Sequence, residues 1–128
     1  MARIVQKFGG TSVSNLDRIR NVAQRVKVEV DAGHEVAVVV SAMSGTTNQL
    51  VEWATSVGAV HDAREYDMIV ATGEQVTVGL LSIALQNLGI DARSWLGWQV
   101  PIYTDDVHGA ARIDHIDAAS IEQRLSQG

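Results

Sequence analysis

Residues 4–13 read Ile-Val-Gln-Lys-Phe-Gly-Gly-Thr-Ser-Val, a short run of β-forming residues that ends at two glycines and two hydroxyl residues. Lys7 lies near the end of the run, and a helical pattern follows it. Paired glycines free the backbone from Cβ constraints, so that successive N–H groups can converge on a phosphate, and hydroxyls and a helix N-terminus add further donors. The pattern predicts an anion site. A tight strand-to-helix turn beside an ordinary solvated lysine would use the same letters.

A helix and a second strand follow this loop. Asn15, with Asp17 two residues later, is typical of a helix start, and Gly33 is typical of a helix end. Val36–Val40 is an unbroken apolar run, as expected of a central parallel strand covered on both faces. Strand, helix and strand would form one crossover unit. Apolar residues recur between the helix signals at helical spacing: Leu16, Ile19, Val22, Ala23, Val26 and Val30.

A second polar loop comes directly after the second strand. In an open parallel sheet, ligands bind beyond the carboxyl ends of the strands, so the Gly9-Gly10 loop and the Ser41–Asn48 loop should lie side by side. A polar turn that only caps the next helix would have a similar composition. The second loop concentrates small polar side chains: Ser41, Ser44, Thr46, Thr47 and Asn48.

The middle of the chain reads as helical. We expect a short helix over Gln49–Ser56, a loop over Val57–Arg64, and a long, mostly apolar helix over Tyr66–Leu88 that ends at Gly89. Glu74 stands in the middle of that long helix. Such an acid either faces solvent or is held by a buried partner, because an unpaired buried carboxylate is very costly.

The last forty residues predict short strands and one more helix. Ile90–Leu96 and Val100–Thr104 have strand-like patterns, and Pro101 would lie at an edge or entry of the second. Ala110–Ile113 predicts a further short strand, and Asp114–Leu125 predicts an amphipathic helix.

Composition limits the classes of function. With 128 residues, 46% hydrophobic and 20% charged, the chain is long enough for one globular domain. A net charge of −5 without basic clusters argues against a nucleic-acid or anionic-membrane surface. The chain has no cysteine, no signal-peptide pattern and no expected membrane span, so the cytoplasm is the default location. The four histidines have no metal-ligand spacing, and no metal is assigned to protein side chains.

Four stretches resemble the aspartate kinases of the amino-acid kinase superfamily. They are Lys7-Phe-Gly-Gly-Thr-Ser-Val13, Ser41-Ala-Met-Ser-Gly-Thr-Thr-Asn48, Ala71-Thr-Gly-Glu-Gln75 and Gly109-Ala-Ala-Arg-Ile113. The resemblance implies an α/β fold, a three-layer αβα sandwich with a mainly parallel sheet. It also implies that residues 1–128 are the N-terminal half of such a domain, without the C-terminal ATP-binding half and the ACT regulatory domains. The segment alone is then expected to be inactive.

The resemblance also implies a reaction. Aspartate kinases transfer the γ-phosphoryl group of ATP, with Mg²⁺, to the side-chain carboxylate of L-aspartate, giving 4-phospho-L-aspartate for lysine, threonine and methionine biosynthesis. By this likeness Lys7 is catalytic and stabilises the transferring phosphoryl, and the parent protein is a homo-oligomer. The implied binding residues are Lys7, Phe8, Gly9 and Gly10 for ATP, and Ser41, Thr47 and Glu74 for aspartate.

Two other functions fit the same letters. One is another amino-acid kinase with a different acceptor, such as glutamate, an N-acylated amino acid or a nucleotide. The other is a non-catalytic module that binds a ligand or assembles with a partner. The chain lacks the G-x-x-x-x-G-K-[ST] pattern, which excludes a Walker-type phosphate loop.

Overall fold

The computed structural model describes residues 1–127, and Gly128 lies outside the described residues. Within this range helices and strands alternate along the first half of the chain, and a hairpin and a short helix complete it. The elements are β1 (Arg3–Phe8), a 3-10 turn (Gly10–Val13), α1 (Leu16–Asp31), β2 (Glu35–Val40), α2 (Thr46–Val57), α3 (Ala63–Val70), α4 (Thr72–Asn87), β3 (Ile102–Thr104), β4 (Ile113–Ile116) and α5 (Ala119–Leu125).

The predicted crossover unit is confirmed. β1 and β2 pair in parallel, from Arg3 opposite Glu35 to Phe8 opposite Val40, and α1 connects them. An ion pair of 2.8 Å joins Arg3 Nε to Glu35 Oε2 at the amino ends of the strands. The carboxyl ends, after Phe8 and Val40, therefore meet at the opposite edge of the sheet.

α1 forms as its sequence predicts. Asn15 Oδ1 accepts a hydrogen bond from the Arg18 N–H at 3.0 Å and caps the first turn. Gly33 follows the helix with φ +84°, a left-handed conformation that favours glycine. Leu16 is 49% exposed, so the first residue of the predicted apolar stripe does not reach the core. The helix buries Ile19, Val22, Ala23 and Val26.

The hydrophobic core lies between α1, α4 and one face of the β1–β2 sheet. Leu81 and Leu85 of α4 join the buried side chains of α1. Each such side chain contributes roughly 1.5–3 kcal/mol when it is fully buried. Four strand residues pack against this cluster from the sheet: Phe8, Val36, Val38 and Val40.

The other face of the sheet is partly exposed among the described residues, so the predicted cover on both faces is incomplete in this part of the chain. Val5 is 68% exposed and Val39 is 52% exposed. Side chains alternate along a strand, and both valines point away from the face that α1 and α4 cover. In β2, Val39 is exposed and the other five residues are half-buried.

The predicted long helix is interrupted at Ala71, which separates α3 from α4. The Thr72 hydroxyl donates to the carbonyl oxygen of Ile69 at 2.7 Å, and such local bonds compete with the helical ladder. The helical segment also begins at Ala63, inside the stretch predicted as a loop. As a consequence, Glu74 lies in the first turn of α4 and not in the middle of a helix.

α3 and α4 together, Ala63–Asn87, are long and apolar enough by length and composition to cross a membrane, which the sequence analysis did not expect. This is weak support for a membrane span, because a core helix passes the same test. Leu81 and Leu85 of this segment pack in the core against α1. The contacts are those of a core helix.

The C-terminal elements differ from the prediction. Ile90–Leu96 forms no strand, and Ile90 packs against the core instead of joining a ladder. β3 falls inside the predicted strand, with Pro101 immediately before it, and pairs antiparallel with β4. β4 begins at Ile113, where the short strand predicted over Ala110–Ile113 was expected to end. It also takes residues from the predicted last helix, because pairing with β3 overrides the helical spacing, and α5 begins only at Ala119.

Candidate active site at the carboxyl ends of the parallel strands

The loops that follow β1 and β2 meet at one edge of the sheet. The backbone N–H of Ser41 donates to the carbonyl oxygen of Phe8 at 3.2 Å and extends the pairing beyond both strands. The predicted juxtaposition of the two loops is therefore confirmed. Side chains that follow either strand share this edge.

Lys7 and Ser41 converge on Gly9. A Cβ atom built on Gly9 would lie 2.8 Å from Lys7 Nζ and 3.1 Å from Ser41 Oγ. Both distances are shorter than ordinary van der Waals contact, so a side chain at this position would displace both groups. An ammonium group and a hydroxyl therefore lie beside a bare stretch of backbone, an arrangement suited to a phosphate or a carboxylate.

Gly10 continues this bare stretch. Its φ is +58°, and no atom lies within 4 Å of the place where a Cβ would be. Gly10 begins the 3-10 turn. Gly9 is its N-cap residue and, as a glycine, has no side chain that could cap the turn. Asn15 already caps the N-terminus of α1, so the 3-10 turn, and not that helix, directly follows the two glycines.

Phe8 takes two roles that leave its side chain out of the loop. The ring packs against the hydrophobic core, and the carbonyl oxygen accepts the hydrogen bond from Ser41. Any contact between Phe8 and a ligand at this edge would therefore come from the main chain.

The second loop is shorter than predicted, because α2 begins at Thr46 and not at Gln49. Gly45 makes the turn into the helix with φ +79°. Thr47 is half-buried in the first turn, and the N-cap residue supplies no side-chain hydrogen bond to the helix amides. The Thr46 N–H already donates to the Met43 carbonyl oxygen at 3.1 Å, and the partial positive charge of the α2 N-terminus adds to the anion-binding character of this edge.

The first turn of α4 packs against the second loop at Gly73. A Cβ atom on Gly73 would lie 2.9 Å from the Ala42 Cβ, and 3.5 Å from Thr46 Cγ2 and from Leu50 Cδ1. Glu74 follows directly and is exposed. Among the described residues no salt-bridge partner of Glu74 is found.

These contacts show which predicted residues the fold brings together. Lys7, Gly9 and Ser41 meet directly, whereas Thr47 and Glu74 reach the same edge through packing of their neighbours. Ala42 and Gly73, whose contact joins them, were not among the site residues predicted from the sequence. A glycine near the start of an apolar helix was the available signal.

The Gly109–Ile113 stretch is held by α3. Asp67 Oδ2 accepts a hydrogen bond from the Gly109 N–H at 2.8 Å and lies 3.2 Å from His108 Nδ1. Asp105 Oδ1 accepts from the Arg112 N–H at 3.2 Å and closes the loop on itself. The Gly109–Ile113 stretch is thus anchored to α3, a contact that its sequence did not predict.

An apolar groove of about 530 Å³ lies apart from this edge, between α2 and α3. Its lining is mostly hydrophobic, with His61, Glu65 and Tyr66 as its ionisable residues. A site that handles phosphate needs converging donors and positive charge, which this groove lacks. The strand edge is the better candidate.

Comparison with known proteins identifies the family. Residues 2–128 match the amino acid kinase family. The chain belongs to the amino acid kinase family. It is 50% identical over 128 residues to aspartokinase 2 of Bacillus subtilis, covering 100% of this chain and 31% of that protein. It is 52% identical over 128 residues to an aspartokinase of Pseudomonas aeruginosa, with the same two coverages. The chain spans about a third of the length of these curated relatives.

Solved structures carry the same amino acid kinase fold. The crystal structure of aspartate kinase from Synechocystis matches with a TM-score of 0.64 and 51% identity, over 66% of this chain and 14% of that chain. E. coli aspartokinase III, in complex with aspartate and ADP, matches with a TM-score of 0.79 and 21% identity, over 97% of this chain and 38% of that chain. The predicted α/β, αβα fold class is confirmed.

Proposed function

We propose that this chain is part of an aspartate kinase, which transfers the γ-phosphoryl group of ATP to the side-chain carboxylate of L-aspartate. The observation that carries the proposal is the convergence of Lys7 Nζ and Ser41 Oγ on Gly9, at the edge where both parallel strands end. The names of the relatives that are about 50% identical over the whole chain point to the same activity.

Lys7, Gly9 and Gly10 form the phosphate side of the proposed site. Phosphoryl transfer needs little covalent help from protein and depends on alignment and on charges placed near the transferring group. The Lys7 ammonium would balance negative charge on the phosphoryl oxygens. The N–H groups around Gly10 fit a phosphate because open space lies above them.

Ser41, Thr47 and Glu74 form the acceptor side. The two hydroxyls, together with the amides of the α2 N-terminus, would donate to a carboxylate of aspartate. Glu74 would accept hydrogen bonds from the substrate ammonium, and its exposed carboxylate is available for that role. With Lys7 on the phosphate side and Glu74 on the acceptor side, the substrate would be oriented with its reacting carboxylate toward Lys7.

A Mg²⁺ ion, when bound, would neutralise part of the phosphate charge. Residues 1–127 contain no group of three or more His, Asp or Glu side chains placed to hold a metal ion, and the ion would enter the site with the nucleotide.

The arrangement of domains along the longer protein is also a proposal. Residues 1–128 would form the N-terminal portion of the kinase domain, and the remaining ATP-binding half and the ACT domains would lie in the rest of a chain about three times as long. We expect the segment alone to be inactive, and the complete enzyme to be a cytoplasmic homo-oligomer.

A hybrid enzyme tests the proposal. Residues 1–128 are joined to the remaining two-thirds of Bacillus subtilis aspartokinase 2, which is 50% identical over this segment. The hybrid is assayed with MgATP and a panel of acceptors: aspartate, glutamate, N-acetylglutamate and a nucleoside monophosphate. We expect phosphorylation of aspartate, and a preference for any other acceptor would contradict the proposal.

Lys7→Ala tests the catalytic role in the same hybrid. Removal of one preorganised charge-stabilising group costs on the order of 100-fold in kcat, so we expect at least that loss. Lys27→Ala is the matched control, because Lys27 pairs with Asp31 at 2.8 Å on α1 and should leave kcat within about twofold. A Lys7→Ala enzyme that turns over at the parental rate excludes the role.

A further inference from the structure

Gly73 lies at the closest contact between α4 and the loop that carries Ser41. The residue is buried, and a Cβ atom there would lie 2.9 Å from the Ala42 Cβ. Carbon atoms in contact are normally separated by about 3.5–4.0 Å. Neither atom belongs to a flexible side-chain end, so an added methyl group would force the helix or the loop to move.

The helix itself does not need a glycine at this position. Gly73 does not have a positive φ, so alanine could adopt the backbone conformation there. Gly79, six residues along the same helix, has no atom within 4 Å of its Cβ position. The two glycines therefore share a helix but differ in surroundings, and close approach to Ala42 explains Gly73 alone.

The carbonyl oxygen of Gly73 also accepts a hydrogen bond from within α4. Thr77 is fully buried, and its hydroxyl donates to the Gly73 carbonyl oxygen at 3.2 Å. Gly73 therefore approaches Ala42 at its Cβ position and bonds to Thr77, one turn further along the same helix face, through its carbonyl oxygen. Glu74 follows immediately, so the position of its carboxylate depends on how closely this turn approaches the loop.

We propose that Gly73 is a positioning residue for the amino-acid acceptor: the absence of its side chain sets the distance between Glu74 and the loop of Ser41. The inference rests on the proposed function. Gly73 itself offers no group to the substrate. It acts through Glu74 on one side and through the Ala42 turn on the other.

Gly73→Ala in the hybrid enzyme tests the inference, with Gly79→Ala as the matched control. We expect Gly73→Ala to raise the KM for aspartate at least tenfold and to leave the KM for ATP within twofold. Gly79→Ala should leave both KM values within twofold. A general loosening of the fold would instead raise both KM values together.

Ala42→Gly supplies the rescue experiment, because it removes the atom that the new methyl group would meet. The double variant Gly73→Ala with Ala42→Gly should return the KM for aspartate to within threefold of the Ala42→Gly value. The comparison between these two variants also serves if Gly73→Ala alone does not fold.

Three results would overturn the inference. They are equal effects of Gly73→Ala and Gly79→Ala, a parallel rise in the KM for ATP, and a folded double variant whose KM for aspartate stays tenfold above that of Ala42→Gly. Failure of the proposed function can be told apart from failure of this inference. In that case the hybrid enzyme without any substitution would not phosphorylate aspartate.

Discussion

Gly9→Ala should separate catalysis from folding. The new Cβ would lie 2.8 Å from Lys7 Nζ and 3.1 Å from Ser41 Oγ. Restoring ordinary contact requires Nζ to move by about 0.7 Å and Oγ by about 0.4 Å. A misplacement of about 1 Å at a reacting centre can cost on the order of 100-fold in rate, so we expect kcat to fall by about 10- to 100-fold.

Stability should change little in the same variant. Gly9 has φ −154° and ψ 176°, an extended conformation that alanine adopts without strain. The nearest atom is the end of a flexible lysine, which can swing into solvent. Gly→Ala substitutions at compatible sites stabilise by about 0.4–1 kcal/mol through the unfolded state, so the free energy of unfolding should stay within about 1 kcal/mol.

The assay measures kcat of the hybrid enzyme with saturating aspartate and MgATP, and urea unfolding of the 128-residue chain. A double-mutant cycle with Lys7→Ala locates the effect, since displacing a lysine that is absent should cost much less. A kcat within twofold of the parent would refute the steric reasoning. A loss of the same factor in the Lys7→Ala background would show that Gly9 does not act through Lys7.

Two further predictions concern stability and association. Leu81→Ala should lower the free energy of unfolding by about 2–5 kcal/mol, because Leu81 is 3% exposed in the core. Urea unfolding measures the loss, and Ile83→Ala, at a residue that is 64% exposed on the same helix, is the control that should cost far less. The partly exposed sheet face with Val5 and Val39 predicts that the 128-residue chain self-associates. Sedimentation velocity should show a concentration-dependent shift that Val39→Lys reduces, and a monodisperse monomer of the unaltered chain at high concentration would contradict this.

Much of the first half of the fold was predictable from local pattern. The apolar spacing of α1, its Asn15 cap and the terminating Gly33 are each local signals in the sequence, and the structure has each of them in place. The parallel pairing of β1 with β2 followed from the crossover rule, since two strands joined by one helix run in the same direction.

The later elements were less predictable because their conformation depends on distant partners. Ile113–Ile116 alternates weakly and is also compatible with a helix, and it becomes a strand through pairing with Ile102–Thr104. Ile90–Leu96 has a strand-like pattern but no ladder among the described residues. The break at Ala71 lies beside a local hydroxyl bond from Thr72, and apolar periodicity reports neither.

The residue types at the candidate site were readable in the letters, because glycines, hydroxyls and a lysine after strands have the same chemistry in any fold. The distances between them were not. That Lys7 and Ser41 share the space over Gly9, and that Gly73 brings Glu74 to the same edge through Ala42, results from packing of segments more than thirty residues apart. Local preferences act over a few residues, whereas such contacts are selected by the close packing of the whole core.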